Sequence, residues 1–317
     1  MSMTVEAQIT KYLVYCKEQK LLSKNTLRAY HLDFNQFIGF LQTKKLDQAS
    51  AADIQKEDLR VYIKELLLQY ATRTCKRKIA CIKAFYNYLE YEDIIDINPF
   101  RKIKVRFREP RRLPKAMSSH EIESVLTALY TAHSNQSSYR HSFTYWRNIA
   151  CVELLFSSGM RVGELCDLKA SSVDLTARTV RIIGKGNKER IVYIASDDAI
   201  KALQQYEVIR NSNYHDSVNY FISDHGKRYS ETAVRKLVHQ YASKLLHRRI
   251  TPHMFRHSFA SLLLNNNVDI KIIQELLGHS SIITTQIYLH LTTGRLRDVL
   301  MEFHPRCAMS IHSQPAI

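Results

Sequence analysis

Apolar side chains recur at helical spacing through the first hundred residues. In the segment that follows Ser23, for example, Leu27, Tyr30 and Phe34 begin an apolar face that continues to Leu41. Spacings of three and four residues place such side chains on one side of a helix. The pattern predicts four helices in this region, at about 4–19, 23–41, 54–69 and 72–90.

A second helical region begins at Ser118. Ser118 and Glu121 form the pattern S-x-x-E, the capping box that is typical of a helix N-terminus. A further helix, at about 143–156, runs into Ser157-Ser158-Gly159, and the helical pattern restarts at Met160. A glycine after a helix and before a new one predicts a sharp change of direction in the backbone.

Two short segments depart from helical spacing. Residues 179–184 and 189–195 alternate apolar and polar positions, as half-buried strands do, and the glycine-containing turn 184–188 joins them. We predict an antiparallel hairpin there and a short strand at 220–223. The expected fold class is therefore mainly α with a small β-hairpin (α+β).

Helical spacing returns after the hairpin. One of these helices is expected to end at Gly278 in a left-handed C-cap. The predicted helices are at about 197–211, 230–247, 252–264, 268–277 and 295–303.

The stretch 101–116 separates the two helical regions. It holds eight basic residues and one acid, two prolines and no helical periodicity. These features predict a linker, and we favour a flexible cationic strap that contacts a polyanion over a plain solvated linker. The chain is then divided into a helical domain at 1–105, a basic linker at 106–117 and a mixed domain at 118–317.

Charge indicates the class of partner. The chain of 317 residues carries 46 Lys and Arg against 30 Asp and Glu, a formal net charge of +16. Such a surplus favours nucleic acid ahead of a membrane surface. A hydrophobic content of 45% is enough for a buried core and excludes a disordered chain.

Cysteine usage and hydropathy indicate the compartment. The six cysteines are scattered and include no C-x-x-C pair, which favours reduced thiols over a disulfide framework. No apolar run is long enough to span a bilayer, and the first residues lack a signal-peptide pattern. We expect a cytoplasmic protein that is not associated with a membrane.

Four residues suited to phosphate chemistry are grouped around predicted helix ends. His253 and Arg256 follow the helix start at Thr251, and their spacing puts both on one face of the first turns. His279 follows a predicted helix stop, and Tyr288 comes nine residues later. Helix N-termini and arginines bind phosphate oxygens, while histidine and tyrosine can move protons or attack. The group therefore predicts a site for an anionic ligand.

This stretch resembles the catalytic core of the tyrosine recombinases, the phage-integrase and Xer family. The family pattern is H-x-x-R, then L-L-G-H, then a tyrosine nine residues on; the chain has His253-x-x-Arg256, Leu276-Leu277-Gly278-His279 and Tyr288. The resemblance extends from about residue 5 to about residue 306. It implies a SAM-like helical domain that binds the core DNA site, followed by a mixed catalytic domain.

Two further catalytic residues are implied by the resemblance. Arg161 stands in the family's G-x-R-x-x-E-L context, and Glu164, one turn later, is expected to orient it from behind. Lys185 matches the lysine that the family carries on a β-hairpin, and Lys188 is a second candidate. The complete implied site is Arg161, Lys185, His253, Arg256, His279 and Tyr288.

The implied reaction is DNA strand transfer. Tyr288 would attack a phosphodiester and form a 3′-phosphotyrosyl link, while the two arginines stabilise the phosphate charge. His253 would help with the phenol proton, Lys185 would protonate the leaving 5′ oxygen, and His279 would bind a phosphate oxygen. Because the covalent link conserves the bond energy, we expect no ATP, no metal and no other cofactor.

Two basic groups are expected to contact double-stranded DNA. The first lies at the start of the fourth helix, where the alternative is a solvated helix face, and the second lies in the linker. Their members are Arg73, Lys76, Arg77 and Lys78, and then Arg106, Arg108, Arg111 and Arg112.

Three alternatives remain beside this prediction. His253 and His257 could bind zinc, but the glutamate of H-E-x-x-H and a third ligand are missing, so we interpret His257 as a buried structural histidine. A DNA-binding protein without catalysis would explain the charge but has no use for the six site residues. A type IB topoisomerase shares the phosphotyrosyl chemistry, but it relaxes supercoils alone, whereas a recombinase needs paired sites.

The last predicted helix, at 295–303, is expected to take part in assembly of the oligomer. Its apolar face, Leu296, Val299, Leu300 and Phe303, must be buried somewhere, because a helix this short is marginal alone. The resemblance implies that this helix leaves its own domain and docks on the next protomer in a ring of four on two DNA sites. We expect a homotetramer with exchange of this helix. The sequence identifies no accessory protein, and residues 307–317 have no structural signal.

Overall fold

The computed structural model describes residues 3–105, 107, 116–132, 139–184, 189–214, 216–278 and 293–309. The chain divides into two compact units, Met1–Arg112 and Leu113–Ile317. Each unit has its own hydrophobic core.

The first unit consists of four helices around one core, and all four predicted helices are present. Their starts follow from capping groups: Ser23 accepts a hydrogen bond from the backbone N–H of Thr26 at 3.2 Å, and Gln55 and Asp58 form a capping box. The helices are α1 (Val5–Glu18), α2 (Lys24–Thr43), α3 (Lys56–Gln69) and α4 (Thr72–Tyr91).

The core of the first unit is rich in aromatic rings. The buried ring of Phe34 meets Tyr12 edge-on, with 5.9 Å between ring centres, and meets Phe85 in the same manner at 5.6 Å. Edge-to-face pairs of this kind add stabilisation beyond the apolar area that they bury. The three rings belong to α1, α2 and α4 and therefore hold these helices together.

The start of the predicted linker belongs to the first unit. Pro99–Lys102 forms a 3₁₀ turn, and Ile103, Val105 and Phe107 pack against the helical core. The ammonium of Lys76 lies 5.3 Å from the centre of the Phe107 ring. Residues 101–105 and 107 therefore pack on the first unit through an apolar side made of alternate residues, while the linker at 106–117 stays a prediction. Residues 106 and 108–115 lie outside the described residues.

The second unit is built around one buried helix, α6, which packs against α5, α8 and α10. α6 begins earlier than predicted, and its residues from Ile149 to Ser158 are all buried, Glu153 included. The helices are α5 (Ser119–Thr131), α6 (Tyr139–Ser158), α7 (Val162–Asp167), α8 (Asp197–Tyr214), α9 (Glu231–Val238), α10 (Pro252–Asn265), α11 (Ile270–Leu277) and α12 (Thr293–Phe303).

A small antiparallel sheet completes the second unit. Its strands lie in the order β1 (Val173–Asp174), β2 (Thr179–Ile183) and β3 (Glu189–Tyr193). The pairing of Ile183 with Glu189 confirms the predicted hairpin. β1 was not predicted, and instead of a strand at 220–223 there is an isolated bridge between Ile222 and Arg228. The fold class, mainly α with a small sheet, is confirmed.

The last helix packs on its own unit. Leu300 is completely buried, and Leu296, Val299 and Phe303 contact the same core. The guanidinium of Arg297 lies 5.0 Å from the centre of the Tyr193 ring on β3. In the single chain this helix therefore lies on its own unit, and its exchange between protomers stays a prediction.

Residues just after α12 anchor it to α6. Arg306 donates hydrogen bonds of 2.9 and 2.7 Å to the two carboxylate oxygens of Glu153, and neither side chain is exposed. Its second amino group also donates to Asp198 at 3.1 Å, and the Tyr130 hydroxyl donates to Glu153 at 2.9 Å. We call the pairing of Arg306 with Glu153 and Asp198 the tail clamp.

Candidate active site

The junction of α6 and α7 presents the first predicted catalytic arginine. Gly159 adopts a left-handed conformation (φ 58°), and a Cβ there would lie 2.6 Å from the Phe259 ring, so only glycine fits. Arg161 then caps the N-terminus of α7 with extended backbone. The side chain of Arg161 is 42% exposed.

Glu164 holds Arg161 in the predicted manner. One carboxylate oxygen accepts from the Arg161 backbone N–H at 2.8 Å, and the other accepts from the Arg161 guanidinium at 2.7 Å. The carboxylate is almost fully buried. Burial raises its pKa, but the hydrogen bonds from Arg190 and Arg161 outweigh that effect, so the pKa of Glu164 is lowered.

Arg190 is a site residue that the sequence reasoning missed. From β3 it donates to both oxygens of Glu164, at 2.7 and 3.2 Å, so that Glu164 lies between two guanidiniums. The available signal was strand alternation: Arg190 shares a face with buried Val192, and a charged residue at an inward position needs a partner. That partner, Glu164, lies 26 positions away along the chain.

Arg256 is the most deeply buried of the predicted site residues that the structure describes, with 3% of its surface exposed. Its guanidinium donates to the carbonyl oxygens of Gly159 at 2.7 Å and Leu277 at 2.8 Å. It therefore joins the start of the α7 turn to the end of α11. Burial, and then the nearby charge of Arg161, lower the pKa of Arg256 to about 10, so it remains a cation at neutral pH.

His253 lies one turn before Arg256 on α10 and is exposed. Its ring meets that of His257 edge-on at 4.6 Å between centres, and His257 is half-buried instead of fully buried as predicted. Burial of the ring lowers the pKa of His253, and the charges of His257, Arg256 and Arg161 lower it further. At neutral pH His253 is an uncharged imidazole that can accept a proton.

We call Arg161, Arg190 and Arg256 the arginine cluster. Glu164 accepts hydrogen bonds from the guanidiniums of Arg161 and Arg190, and Arg256 donates to the carbonyl of Gly159, two residues before Arg161. Within the described ranges, Glu164 is the carboxylate that balances these three cations. The cluster has a surplus of positive charge in a partly buried place, and such a place stabilises a bound anion.

Three predicted catalytic residues lie outside the described residues: Lys185, His279 and Tyr288, as does the second lysine candidate, Lys188. Gly184, directly before Lys185, and Gly278, directly before His279, are described. Gly278 is the left-handed C-cap of α11 (φ 62°), which confirms the predicted helix stop.

The predicted DNA contacts at the start of α4 have different surroundings. Arg73 and Lys76 are exposed. Arg77 and Lys78 both pair with Asp33, a carboxylate with no exposed surface, and Lys78 is itself buried. Lys78 is therefore withdrawn as a DNA contact, because its ammonium neutralises an interior charge. The linker residues Arg106, Arg108, Arg111 and Arg112 lie outside the described residues.

Other features bear on metals, thiols and membranes. No group of three or more potential metal ligands occurs among the residues that the structure describes. All six cysteines are free thiols, and five of them are buried. None of the described helices combines the length and apolar character that a membrane span needs.

Comparison with known families gives two matches. The model of the Phage integrase family matches residues 115–295, and the model of the Phage integrase, N-terminal SAM-like domain matches residues 9–93. A tyrosine recombinase of Agathobacter rectalis is 42% identical over 306 residues, covering 95% of this chain and 97% of the relative. Tyrosine recombinase XerD of Halalkalibacterium halodurans is 36% identical over 310 residues, covering 96% and 99%.

Solved structures share the fold. The XerH site-specific recombinase bound to difH is 22% identical, with a TM-score of 0.66 over 94% of this chain and 84% of that one. A lambda integrase dimer bound to a core site is 17% identical, with a TM-score of 0.66 over 88% and 96%. At these identities the likeness concerns the fold alone.

Proposed function

The chain belongs to the phage integrase family of tyrosine recombinases, and on that premise we propose how its own residues cut and rejoin DNA. As a member of this family it is a DNA strand transferase that acts in site-specific recombination.

The arginine cluster is the observation that carries the proposal. The Arg161 side chain is 42% exposed, those of Arg190 and Arg256 are largely buried, and the Glu164 carboxylate already accepts hydrogen bonds on both oxygens. A phosphodiester carries one negative charge and gains more in the transition state of substitution. Guanidiniums fixed before the substrate arrives stabilise that added charge without reorganising.

Tyr288 is proposed as the nucleophile. Its phenol oxygen attacks phosphorus, the bond to the 5′ oxygen breaks, and the DNA 3′ end becomes a phosphotyrosyl ester. A free phenol has a pKa of roughly 10 and needs help to lose its proton. The uncharged imidazole of His253 accepts that proton, and Lys185 donates one to the departing 5′ oxygen.

Rejoining is the reverse of this step. A 5′ hydroxyl, from the same or a partner strand, attacks the phosphotyrosyl ester and releases Tyr288. His279 is proposed to hold a non-bridging oxygen throughout. Bonds are exchanged one for one, so the scheme needs no metal and no nucleotide cofactor.

The proposed DNA contacts are phosphate contacts that hold the duplex. Arg73, Lys76 and Arg77 are exposed near the N-terminus of α4, and the linker arginines at 106, 108, 111 and 112 are proposed to act with them. The net charge of +16 supports this assignment. Phosphate contacts fix position and orientation, and they do not by themselves read sequence.

The proposed assembly is a ring of four protomers on two DNA sites, with the tail helix α12 docked on the next protomer. In the single chain α12 occupies its own unit and the tail clamp holds it there. Exchange therefore requires the tail clamp to open and to close again on a neighbouring protomer. Because Tyr288 lies just before α12 in the chain, this step would tie cleavage to assembly. Association with the nucleoid follows from a DNA substrate.

The experiment that tests the function begins by mapping DNA ends trapped covalently on the protein, which defines the site. A nicked suicide substrate built on that site is then given to Tyr288→Phe. We expect DNA binding close to wild type and no covalent adduct, because the ring is kept and the nucleophilic oxygen is lost.

Tyr91→Phe is the matched control, since Tyr91 is 78% exposed on α4 and should form the adduct at the normal yield. An adduct of wild-type yield in Tyr288→Phe would remove Tyr288 as the nucleophile. Strand exchange between two sites, measured against relaxation of a supercoiled plasmid without a site, separates a recombinase from a type IB topoisomerase.

A further inference from the structure

Arg190 makes contacts on two sides of the candidate active site. On one side its two amino groups hold both oxygens of Glu164, the carboxylate that orients Arg161. On the other side its aliphatic stem lies against Gly278, where an added Cβ would come within 2.9 Å of the Arg190 Cδ. The side chain is only 11% exposed.

The contacts of Arg190 lie next to predicted catalytic residues along the chain. Arg190 lies on β3, five residues after Lys185, and Glu164 lies on α7. Gly278 immediately precedes His279. The Arg190 side chain therefore joins its own strand to two other segments, and each of the three segments adjoins a different predicted catalytic residue.

We propose that Arg190 is a positioning residue of the strand-transfer site, which keeps Glu164 in place behind Arg161 and holds β3 against the C-terminus of α11. This inference rests on the proposed function. Arg190 contacts no substrate in this scheme. It acts by fixing the direction in which the Arg161 guanidinium points and by limiting movement of the strand that follows the hairpin.

Arginine suits this role and lysine does not. A guanidinium presents a planar fork that binds both oxygens of a carboxylate at once, whereas an ammonium offers a single point of attachment. The charged groups around the Glu164 carboxylate come from three elements: Arg161 at the start of α7 and Arg190 on β3, which donate to it, and Arg256 on α10. The Glu231 carboxylate on α9 would lie 3.2 Å from a Cβ at Gly163, the residue before Glu164. Without Arg190, Glu164 loses two of its four hydrogen bonds and becomes easier to protonate.

The first test uses single-turnover cleavage of the suicide substrate. We expect Arg190→Lys to slow cleavage roughly tenfold and Arg190→Ala roughly a hundredfold, because hydrogen bonds to a charged group are lost. The dissociation constant for a half-site should change by less than about twofold, since the arginine cluster is not the main DNA-binding surface. Arg181→Ala is the matched control: Arg181 is an exposed arginine on β2, and its loss should leave the rate unchanged.

A purely structural role would not change the pH dependence, so the second readout is the pH profile of the cleavage rate. Arg190→Lys should move the acid limb to higher pH, because a less well-held Glu164 takes up a proton sooner. Thermal unfolding of each variant shows whether it is folded. If Arg190→Ala is unfolded, Arg190→Lys still tests the proposal. A wild-type cleavage rate and pH profile in Arg190→Lys would overturn it.

The third readout separates action through Glu164 from direct contact with phosphate. The double variant Arg190→Lys with Glu164→Gln should cleave as fast as Glu164→Gln alone, within about twofold, because both substitutions disturb the same hydrogen-bonded pair. A further tenfold loss in the double variant would mean that Arg190 acts on the substrate itself and would overturn the positioning role. Failure of the wild-type chain to form any adduct would instead be a failure of the proposed function.

Discussion

Arg306 and Glu153 form an ion pair in which neither side chain is exposed, 153 positions apart along the chain. Lys78 and Asp33 form another inside the first unit. Burying a charge without a partner is costly, so each of these residues depends on the other. Lys78 was predicted to lie on the surface because a sequence displays a charge but not its distant partner. The roles of Lys78, Arg190 and Arg306 therefore became visible only with the fold.

His304, two residues before Arg306, allows a prediction at the scale of one residue. Its ring is buried; Nδ1 accepts from the Arg306 backbone N–H at 3.0 Å, and Nε2 donates to the Ser157 carbonyl at 3.1 Å. Burial lowers the pKa of His304 from 6.5 to about 4. Because the unfolded chain binds a proton near 6.5 and the folded chain does not, stability falls as the pH drops from 6.5 toward 4.

We therefore expect His304→Asn to reduce the loss of stability at low pH. Asparagine keeps an acceptor for the Arg306 N–H but cannot be protonated. Between pH 7.5 and pH 5 the wild-type free energy of unfolding should fall by about 2 kcal/mol more than that of the variant. Urea unfolding at the two pH values measures this difference. Equal losses in both proteins would show that His304 is not held neutral by its surroundings.

Helix ends were the most predictable elements, because their signals are local. The capping box of Ser118 and Glu121 and the left-handed stop at Gly278 both occur where the sequence placed them. The two-residue strand β1 was missed because it exists only through its pairing with β2. The site was predictable in part: Arg161 and its orienting Glu164 were expected, whereas Arg190 needed knowledge of which strand face points inward.

Gly159 allows a prediction about the turn between α6 and α7. Its left-handed conformation and its contact with Phe259 leave no room for a side chain, and its carbonyl holds Arg256. Gly159→Ala should lower the free energy of unfolding by about 2–4 kcal/mol, from strain and overpacking together. It should also slow cleavage, since Arg256 would be displaced. Thermal unfolding and single-turnover cleavage measure the two effects.

Gly39→Ala is the contrasting control. Gly39 lies within α2, and a Cβ there would meet nothing within 4 Å. Alanine at an interior helix position should raise the free energy of unfolding by about 0.5–1 kcal/mol and leave cleavage unchanged. If both glycine variants behaved alike, the turn geometry at Gly159 would not be the cause of its effect.

At the scale of the whole molecule, a chain with a net charge of +16 is arranged as two units with separate cores. The charge surplus favours binding to a polyanion, while the arginine cluster stabilises the negative charge of the phosphodiester that reacts. The two properties can be varied independently, because the basic start of α4 and the arginine cluster belong to different units.

Binding should accordingly weaken steeply with salt. Each phosphate neutralised on B-DNA releases roughly 0.9 counterion, so Arg73→Ala should reduce the slope of log K against log salt concentration by about 0.9. Arg60→Ala is the control, since Arg60 is an exposed arginine on α3 whose charge is already paired with Glu57. Filter binding or fluorescence anisotropy across a salt series gives the slopes. An unchanged slope for Arg73→Ala would remove Arg73 from the proposed DNA surface.

The exchange of α12 can be tested through the tail clamp. Reversing either charge of the pair, as Glu153→Arg or as Arg306→Glu, places like charges together in a buried site and should abolish recombination by either variant alone. The double variant has opposite charges again, both within each chain and between chains. It is therefore the control that shows whether the exchanged side chains can be accommodated.

An equimolar mixture of the two single variants is the informative case. In a ring of four in which the two variants alternate, residue 306 of each chain meets residue 153 of its neighbour with the opposite charge. Within each chain the same two positions carry like charges. If the tail docks in trans, the mixture should recombine at a rate approaching that of the double variant. If only the double variant recombines, the clamp acts within one chain and the tail is not exchanged.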